Sequence, residues 1–318
     1  MRLWQQSMIF LARNKTVKNF VQNRAIMSEL AMRFVGGKDV AEVNEKCRAL
    51  KSQGCKASVF YLGEYVEDLS IINQTVSALK ASIRNLADSN LDVHISVDPT
   101  QIGYQIDEQT CRHNAFEIAQ EIKQVTKDLN GASRNFLMLD MEDSSVTEAT
   151  IRLYEALTAA SLPAALTLQA YLFRTESDLQ KIVGKGGCVR LVKGAFAERK
   201  EIALTNRSAI DRNFMKLAAI MLSDEARRKE FYPVFATHDE PLIEKIIGIA
   251  NQQGWAKEDY EFEMLYGVRV DLQEKLIQRG EQLRLYLPFG TDWWPYAVRR
   301  VGESSKNAKF LVRSLLAI

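Results

Sequence analysis

The chain has 318 residues, 47% of them hydrophobic, enough apolar side chain for one large core or two ordinary ones. Its 42 Lys and Arg nearly balance 40 Asp and Glu, so no basic field points to nucleic acid as a partner. Four cysteines (Cys47, Cys55, Cys111, Cys188) and three histidines (His94, His113, His238) show neither CxxC nor HExxH spacing, which argues against zinc and fits reduced, buried thiols in a cytosolic setting.

The opening stretch is basic: Arg2, Arg13, Lys15, Lys18 and Arg24 all precede the first acid, Glu29. It reads either as a mitochondrial-type presequence, which would direct the chain to the matrix, or as an amphipathic helix. Trp4, Met8, Leu11, Val17 and Phe20 fall roughly on one helical face, and the helix is the preferred reading. No apolar run reaches the roughly 18 residues that span a bilayer. No Pro/Gly/Ser-rich linker interrupts the chain. The simplest division is a helical segment over 1–55 and one catalytic domain over 56–318.

From residue 57 a pattern recurs. A short apolar, β-branched run ends in a polar or glycine signal, and a longer helical stretch follows. The runs are ASVFYLGE (57–64), VHISVDPT (93–100), FLMLDMED (136–143), AALTLQAY (164–171), CVRLVKGA (188–195), YPVFATHD (232–239), YEFEMLYG (260–267) and LRLYLPFG (283–290). Between them, TEATIRLYEALTAASL sets Ile151, Tyr154, Leu157 and Leu162 on one stripe, while TESDLQKIV and DEPLIEKIIGIANQQG each open on a cap-capable residue. Strands alternating with helices predict a parallel sheet, and eight such units predict a (β/α)8 barrel. A doubly wound open sheet is the alternative, but the GxGxxG turn it usually carries is missing.

A (β/α)8 barrel builds its active site at the strand C-termini. The runs end in Asp98; Asp140, Glu142 and Asp143; Gln169 and Tyr171; Arg190 and Lys193; His238 and Asp239; Tyr266; and Tyr286. Arg190 and Lys193 stand inside an apolar run, and a buried cation needs an anion or a strong acceptor. That partner is either Asp140 or Glu142 across the barrel, or an anionic ligand or polar cofactor in the barrel mouth. After the last run, Asp292 is placed to cap a helix. On it Tyr296, Arg299, Arg300 and Glu303 share one face at i, i+3, i+4 and i+7. Paired arginines beside an aromatic suit a small carboxylate, and they equally suit a solvated Arg–Glu face.

The segments QAYLFRTESDL (169–179), VRLVKGAF (189–196), FATHDE (235–240), FEMLYGVR (262–269) and LPFGTDWWPYAVRR (287–300), with YLGE and LDMEDS, closely resemble the motifs of proline dehydrogenase. The resemblance runs in order from about residue 20 to the C-terminus, and the length looks like the single-function form. It implies a distorted (β/α)8 barrel with FAD at the strand C-termini, oxidising L-proline to Δ1-pyrroline-5-carboxylate and passing electrons to a quinone during transient contact with a membrane surface. It places the carboxylate clamp on Arg299 and Arg300. Substrate-ring contacts fall on Leu265, Tyr286 and Tyr296 with Ala195 nearby, and flavin contacts on Gln169, Arg190, Lys193, Gly194, Thr237, His238 and Glu303. Asp140 falls near the substrate, and Arg190 is the cation expected beside the flavin. The implied location is cytoplasmic.

One position departs from the family pattern. ISVDPT places Asp98 where the family commonly carries a lysine near the substrate carboxylate. A carboxylate there repels the substrate's own unless it is protonated or paired, for example with Arg190 or Lys193. Asp98 therefore raises several alternatives: another cyclic or N-substituted amino acid such as hydroxyproline, a rewired clamp, weak activity, or a flavin-binding protein without turnover. A different flavin barrel, of the methylenetetrahydrofolate reductase kind, is disfavoured by the arginine pair. Asp140, Glu142 and Asp143 as a metal or glycosidase set are disfavoured by the flavin motifs around them.

Overall fold

The computed structural model describes residues 33–63, 66–128, 134–294 and 296. The opening face at Trp4, Met8, Leu11, Val17 and Phe20 lies outside them. In chain order the elements are α1 (Val40–Ser52), β1 (Lys56–Tyr61), α2 (Leu69–Asp88), β2 (His94–Val97), α3 (Glu108–Thr126), β3 (Phe136–Leu139), α4 (Thr147–Ala159), β4 (Ala164–Gln169), α5 (Thr175–Val183), β5 (Cys188–Val192), α6 (Arg207–Met221), α7 (Asp224–Arg228), β6 (Tyr232–Ala236), α8 (Glu240–Gln252), β7 (Glu261–Leu265), α9 (Val270–Gln278) and β8 (Leu283–Phe289). Each of the eight predicted runs matches one strand, with β1 beginning one residue earlier at Lys56.

All eight strands are parallel and close into a barrel in sequence order, with β8 beside β1. Closure leaves no strand edge unpaired. The strands read as near-continuous apolar runs because both faces are covered: all six residues of β4 are buried. The main core lies between the barrel wall and the outer helices. On α2, Ile72, Leu79 and Ile83 are fully buried, each contributing about 1.5–3 kcal/mol. Inside the barrel, Met138, Ala165, Cys188, Tyr232 and Val234 form a separate apolar plug.

The segment before β1 is tied to the barrel. Gly36 N–H donates to Pro288 O (2.7 Å) and Gly290 N–H to Gly37 O (3.0 Å). Asp39 caps α1 by accepting from Glu42 N–H, and Val43, Cys47 and Leu50 bury their side chains in the core that holds Leu285 and Leu287.

Some helix expectations need correction. Leu162 is buried but lies past the end of α4, beyond Ser161 at φ 54. Thr175 does not cap α5: it is the first helical residue, and its hydroxyl donates to Gln169 O (2.5 Å). Asp239 does stand at the N-cap of α8, but its carboxylate pairs with Lys193 (2.8 Å) and makes no side-chain cap bond. After β8, helical backbone begins at Trp294, one residue later than a cap at Asp292 predicts. Trp293 and Trp294 are both buried, with ring centroids 6.2 Å apart.

Candidate active site

The barrel mouth is organised around Arg190. The side chain alternates inward from β5 and is almost fully buried, so its charge has to be met by the protein. Glu263 on β7 takes both ends of a fork, Nε to Oε2 and Nη2 to Oε1, each 2.8 Å. Nη1 reaches Asp140 Oδ1 and, at 3.4 Å, Thr167 Oγ1. Nη2 also donates to Ser58 Oγ (3.1 Å) and Ser96 Oγ (2.9 Å). Of the two partners expected for this cation inside the protein, Asp140 is present. Glu142 is not: it accepts from Thr100 N–H (3.0 Å) and Thr100 Oγ1 (2.6 Å).

Asp140 follows β3 and links the arginine to the mouth. Its Oδ2 accepts from Tyr286 O–H (2.9 Å), and the Arg190 guanidinium lies 5.4 Å from the centroid of the Tyr286 ring. Burial pushes the Asp140 carboxyl up, against the pull of Arg190 and the hydrogen bond from Tyr286. Burial raises Glu263 further, to about 7, although Arg190 opposes it. Tyr286 lies well above its ordinary value, through burial first and then the charges of Asp140 and Asp98. Asp98 is therefore within electrostatic reach of the Tyr286 phenol. It does not take up the pairing expected with Arg190 or Lys193, whose carboxylate partners among the described residues are Asp140 with Glu263, and Asp211 with Asp239.

A family model described as proline dehydrogenase matches residues 43–313. The chain belongs to the proline dehydrogenase family. Proline dehydrogenase 2 of Bacillus subtilis (strain 168) is 31% identical over 304 residues, covering 95% of this chain and 94% of that protein. Proline dehydrogenase of Deinococcus radiodurans is 27% identical over 317 residues, covering 99% and 98%. The barrel also matches a crystal structure of proline utilization A from Bdellovibrio bacteriovorus inactivated by N-propargylglycine, with a TM-score of 0.76 at 20% identity. That match covers 96% of this chain but 37% of the larger one, and it speaks to the fold alone.

Membership in the proline dehydrogenase family implies a flavin, and one orphaned atom fits that group. Gln169, at the end of β4, donates through Nε2 to Met141 O and Glu142 O, both at 3.2 Å. Its Oε1 is buried with no partner among the described residues. A buried amide oxygen without a donor is costly, and the isoalloxazine edge of a flavin carries an N–H that can satisfy it. Lys193 holds its ammonium between Asp211 (2.6 Å) and Asp239 (2.8 Å). His238 accepts from Leu265 N–H at Nε2 (2.9 Å), so that nitrogen carries no proton and the ring serves as a scaffold between β6 and β7 rather than as a free base. Thr237 Oγ1 accepts from Asp239 N–H (3.2 Å).

Gly194 lies two residues past the end of β5, in the segment just before Ala195. Its φ is +104°, and a Cβ there would stand 2.2 Å from the Tyr171 ring. Gly194→Ala is therefore expected to cost about 1–3 kcal/mol in urea denaturation, with the segment displaced. Leu265, at the end of β7, and Tyr286, midway along β8, are half-buried and paired in register, and Tyr296 is buried. Arg299, Arg300 and Glu303 lie outside the described residues.

Asp140, Glu142 and Asp143 point to different partners, Asp143 to Ser145 N–H (2.9 Å), and no metal-binding group occurs among the described residues. The sequence reading missed Glu263, Ser58, Ser96 and Thr167. The signal for Glu263 was present: Glu261 and Glu263 alternate in an otherwise apolar strand, which puts both inside the barrel.

Proposed function

We propose that the protein oxidises L-proline to Δ1-pyrroline-5-carboxylate, with FAD as its flavin and a quinone as the onward acceptor, from a cytoplasmic position in transient contact with a membrane surface. The near full-length similarity to proteins named proline dehydrogenase carries this reading. No helix among the described residues is long and apolar enough to cross a membrane. Bound FAD supplies the acceptor for the hydride that leaves C5 of the substrate. The protein supplies position and charge. Arg299 and Arg300 clamp the substrate carboxylate, while Leu265, Tyr286 and Tyr296 wall the ring. Asp140, held by Tyr286 and Arg190, presents its carboxylate toward the amine and takes the proton that must leave before nitrogen can push out hydride.

Asp98 favours a second reading. A carboxylate near Tyr286, where the family commonly carries a lysine, suits a cyclic or N-substituted amino acid other than proline. Anaerobic addition of substrate to the yellow protein separates the two. Loss of the flavin band with L-proline, with kcat/KM reduced roughly a thousandfold in Arg299→Ala/Arg300→Ala, supports the first. Bleaching by hydroxyproline or an N-methylated amino acid, but not by L-proline, supports the second. A band unchanged by all of them sinks both and leaves a flavin-binding protein without turnover.

A further inference from the structure

Glu263 has no part in the reaction as described above, yet it is the most fully engaged partner of Arg190. It is 2% exposed, and its two oxygens take Nε and Nη2 of the guanidinium. The opposite nitrogen, Nη1, goes to Asp140. One cation thus stands between two buried carboxylates, and only one of them, Asp140, extends to Tyr286 and the mouth. Whatever negative charge Glu263 carries neutralises Arg190 at the expense of Asp140.

We propose that Glu263 is a positioning residue for the reaction: by forking onto Arg190 it divides the guanidinium's charge and so sets how readily Asp140 takes up a proton. The proposal rests on the proline-oxidising reading for its consequence in turnover, but the electrostatic link itself is a property of the folded barrel. The other groups around Glu263 are few. Arg284 on β8 and Glu261 on its own strand act from below, and Tyr232 of β6 is committed to Glu261 (3.1 Å). His94 on β2 is held neutral by burial and hydrogen-bonds Ser58 (2.9 Å). Register pairs Ala236 of β6 with Glu263 and brings no charge to it. Burial raises the Glu263 carboxyl and Arg190 draws it back down, as it does for Asp140, so the two acids share one cation and titrate as a pair. Removing that charge leaves Arg190 to act on Asp140 alone, and Asp140 then ionises at lower pH.

The test is Glu263→Gln, which keeps an acceptor for the guanidinium and removes the charge. Two titrations are read on the flavin-loaded protein. One is the acid limb of kcat/KM for L-proline. The other is the infrared carboxylate band of 13C-aspartate-labelled protein, with the Asp140 contribution identified by its loss in Asp140→Asn. Both are expected to move down by about one pH unit in Glu263→Gln, and Glu263→Asp is expected to return them toward wild type. Two unmoved titrations, with kcat/KM lowered equally at every pH, would show Glu263 to be only a spacer and overturn the proposal. If the wild type oxidises no proline, the functional reading fails by itself and the infrared titration alone decides on Glu263. If Glu263→Gln does not fold, Glu263→Asp, with its carboxylate drawn back by one methylene, should give a smaller downward shift. No shift there overturns the proposal.

Discussion

Arg190→Met is expected to cost about 3–5 kcal/mol of folding stability and to lower turnover at least about a hundredfold. The side chain fills similar space, so the loss is electrostatic. Glu263 and Asp140 stay buried, and the cation that faced both is gone. The pH dependence follows from their folded-state values. Glu263 is raised from 4.5 to about 7 even with Arg190 present. A carboxyl raised on folding binds its proton more tightly in the native state. The stability it contributes is full below pH 4.5 and is lost as pH rises through about 7. Without Arg190, Glu263 and Asp140 both rise further, so the deficit grows with pH. Urea denaturation at about pH 5 and about pH 8 should show the smaller loss at the lower pH. An equal loss at both would mean that packing, not charge, dominates. Turnover falls because Asp140, no longer held by the guanidinium, is protonated where it should accept.

Arg284→Met is expected to lose a similar about 3–5 kcal/mol, yet to leave kcat/KM of the folded protein within about threefold of wild type. Arg284 is fully buried near the other end of the barrel. It forks onto Glu261 through Nε (2.6 Å) and Nη2 (3.1 Å), reaches Asp92 (2.9 Å) and donates to Ala57 O (2.8 Å). The chemistry of the break is the same as at Arg190, but none of these partners touches Asp140 or the Tyr286 hydroxyl. Glu261→Leu added to Arg284→Met should recover part of the stability, because removing both charges avoids the buried orphan left by removing one. Thermal denaturation of the two variants, with kinetics on each, separates the layer that supports the barrel from the layer that serves its mouth. A large loss of kcat/KM in Arg284→Met would mean that the two layers act as one.

Much of the fold was legible because a closed parallel barrel makes simple demands on sequence. Its strands are covered on both sides, so AALTLQ and CVRLV stand out as short apolar runs. Its helices show one apolar face at a period near 3.6. The polar strand ends and the cations inside VRLVKGA marked the right end of the barrel. Local caps were less legible. Asp239 takes the cap position its spacing predicts, but Lys193, just past β5, takes its carboxylate, and the ion pair replaces the side-chain cap bond. Glu261 and Glu263 showed the two-residue period of a strand, but the same alternation describes a strand with one wet face.

The sequence by itself determined the order and kind of the elements, the family, and the inward direction of side chains such as Arg190, because these follow from periodicity and from residues adjacent in the chain. Only the tertiary structure decided who meets whom. Arg190 finds Glu263 across 73 positions and Ser58 across 132, and Asp140 receives the hydroxyl of Tyr286 from across 146. Those pairings depend on the tilt and stagger with which eight strands close, a collective quantity that no single run encodes. Closure also removes water from the axis. That is why a glutamate in an apolar strand becomes a carboxyl that titrates near neutrality, and why one arginine governs two acids.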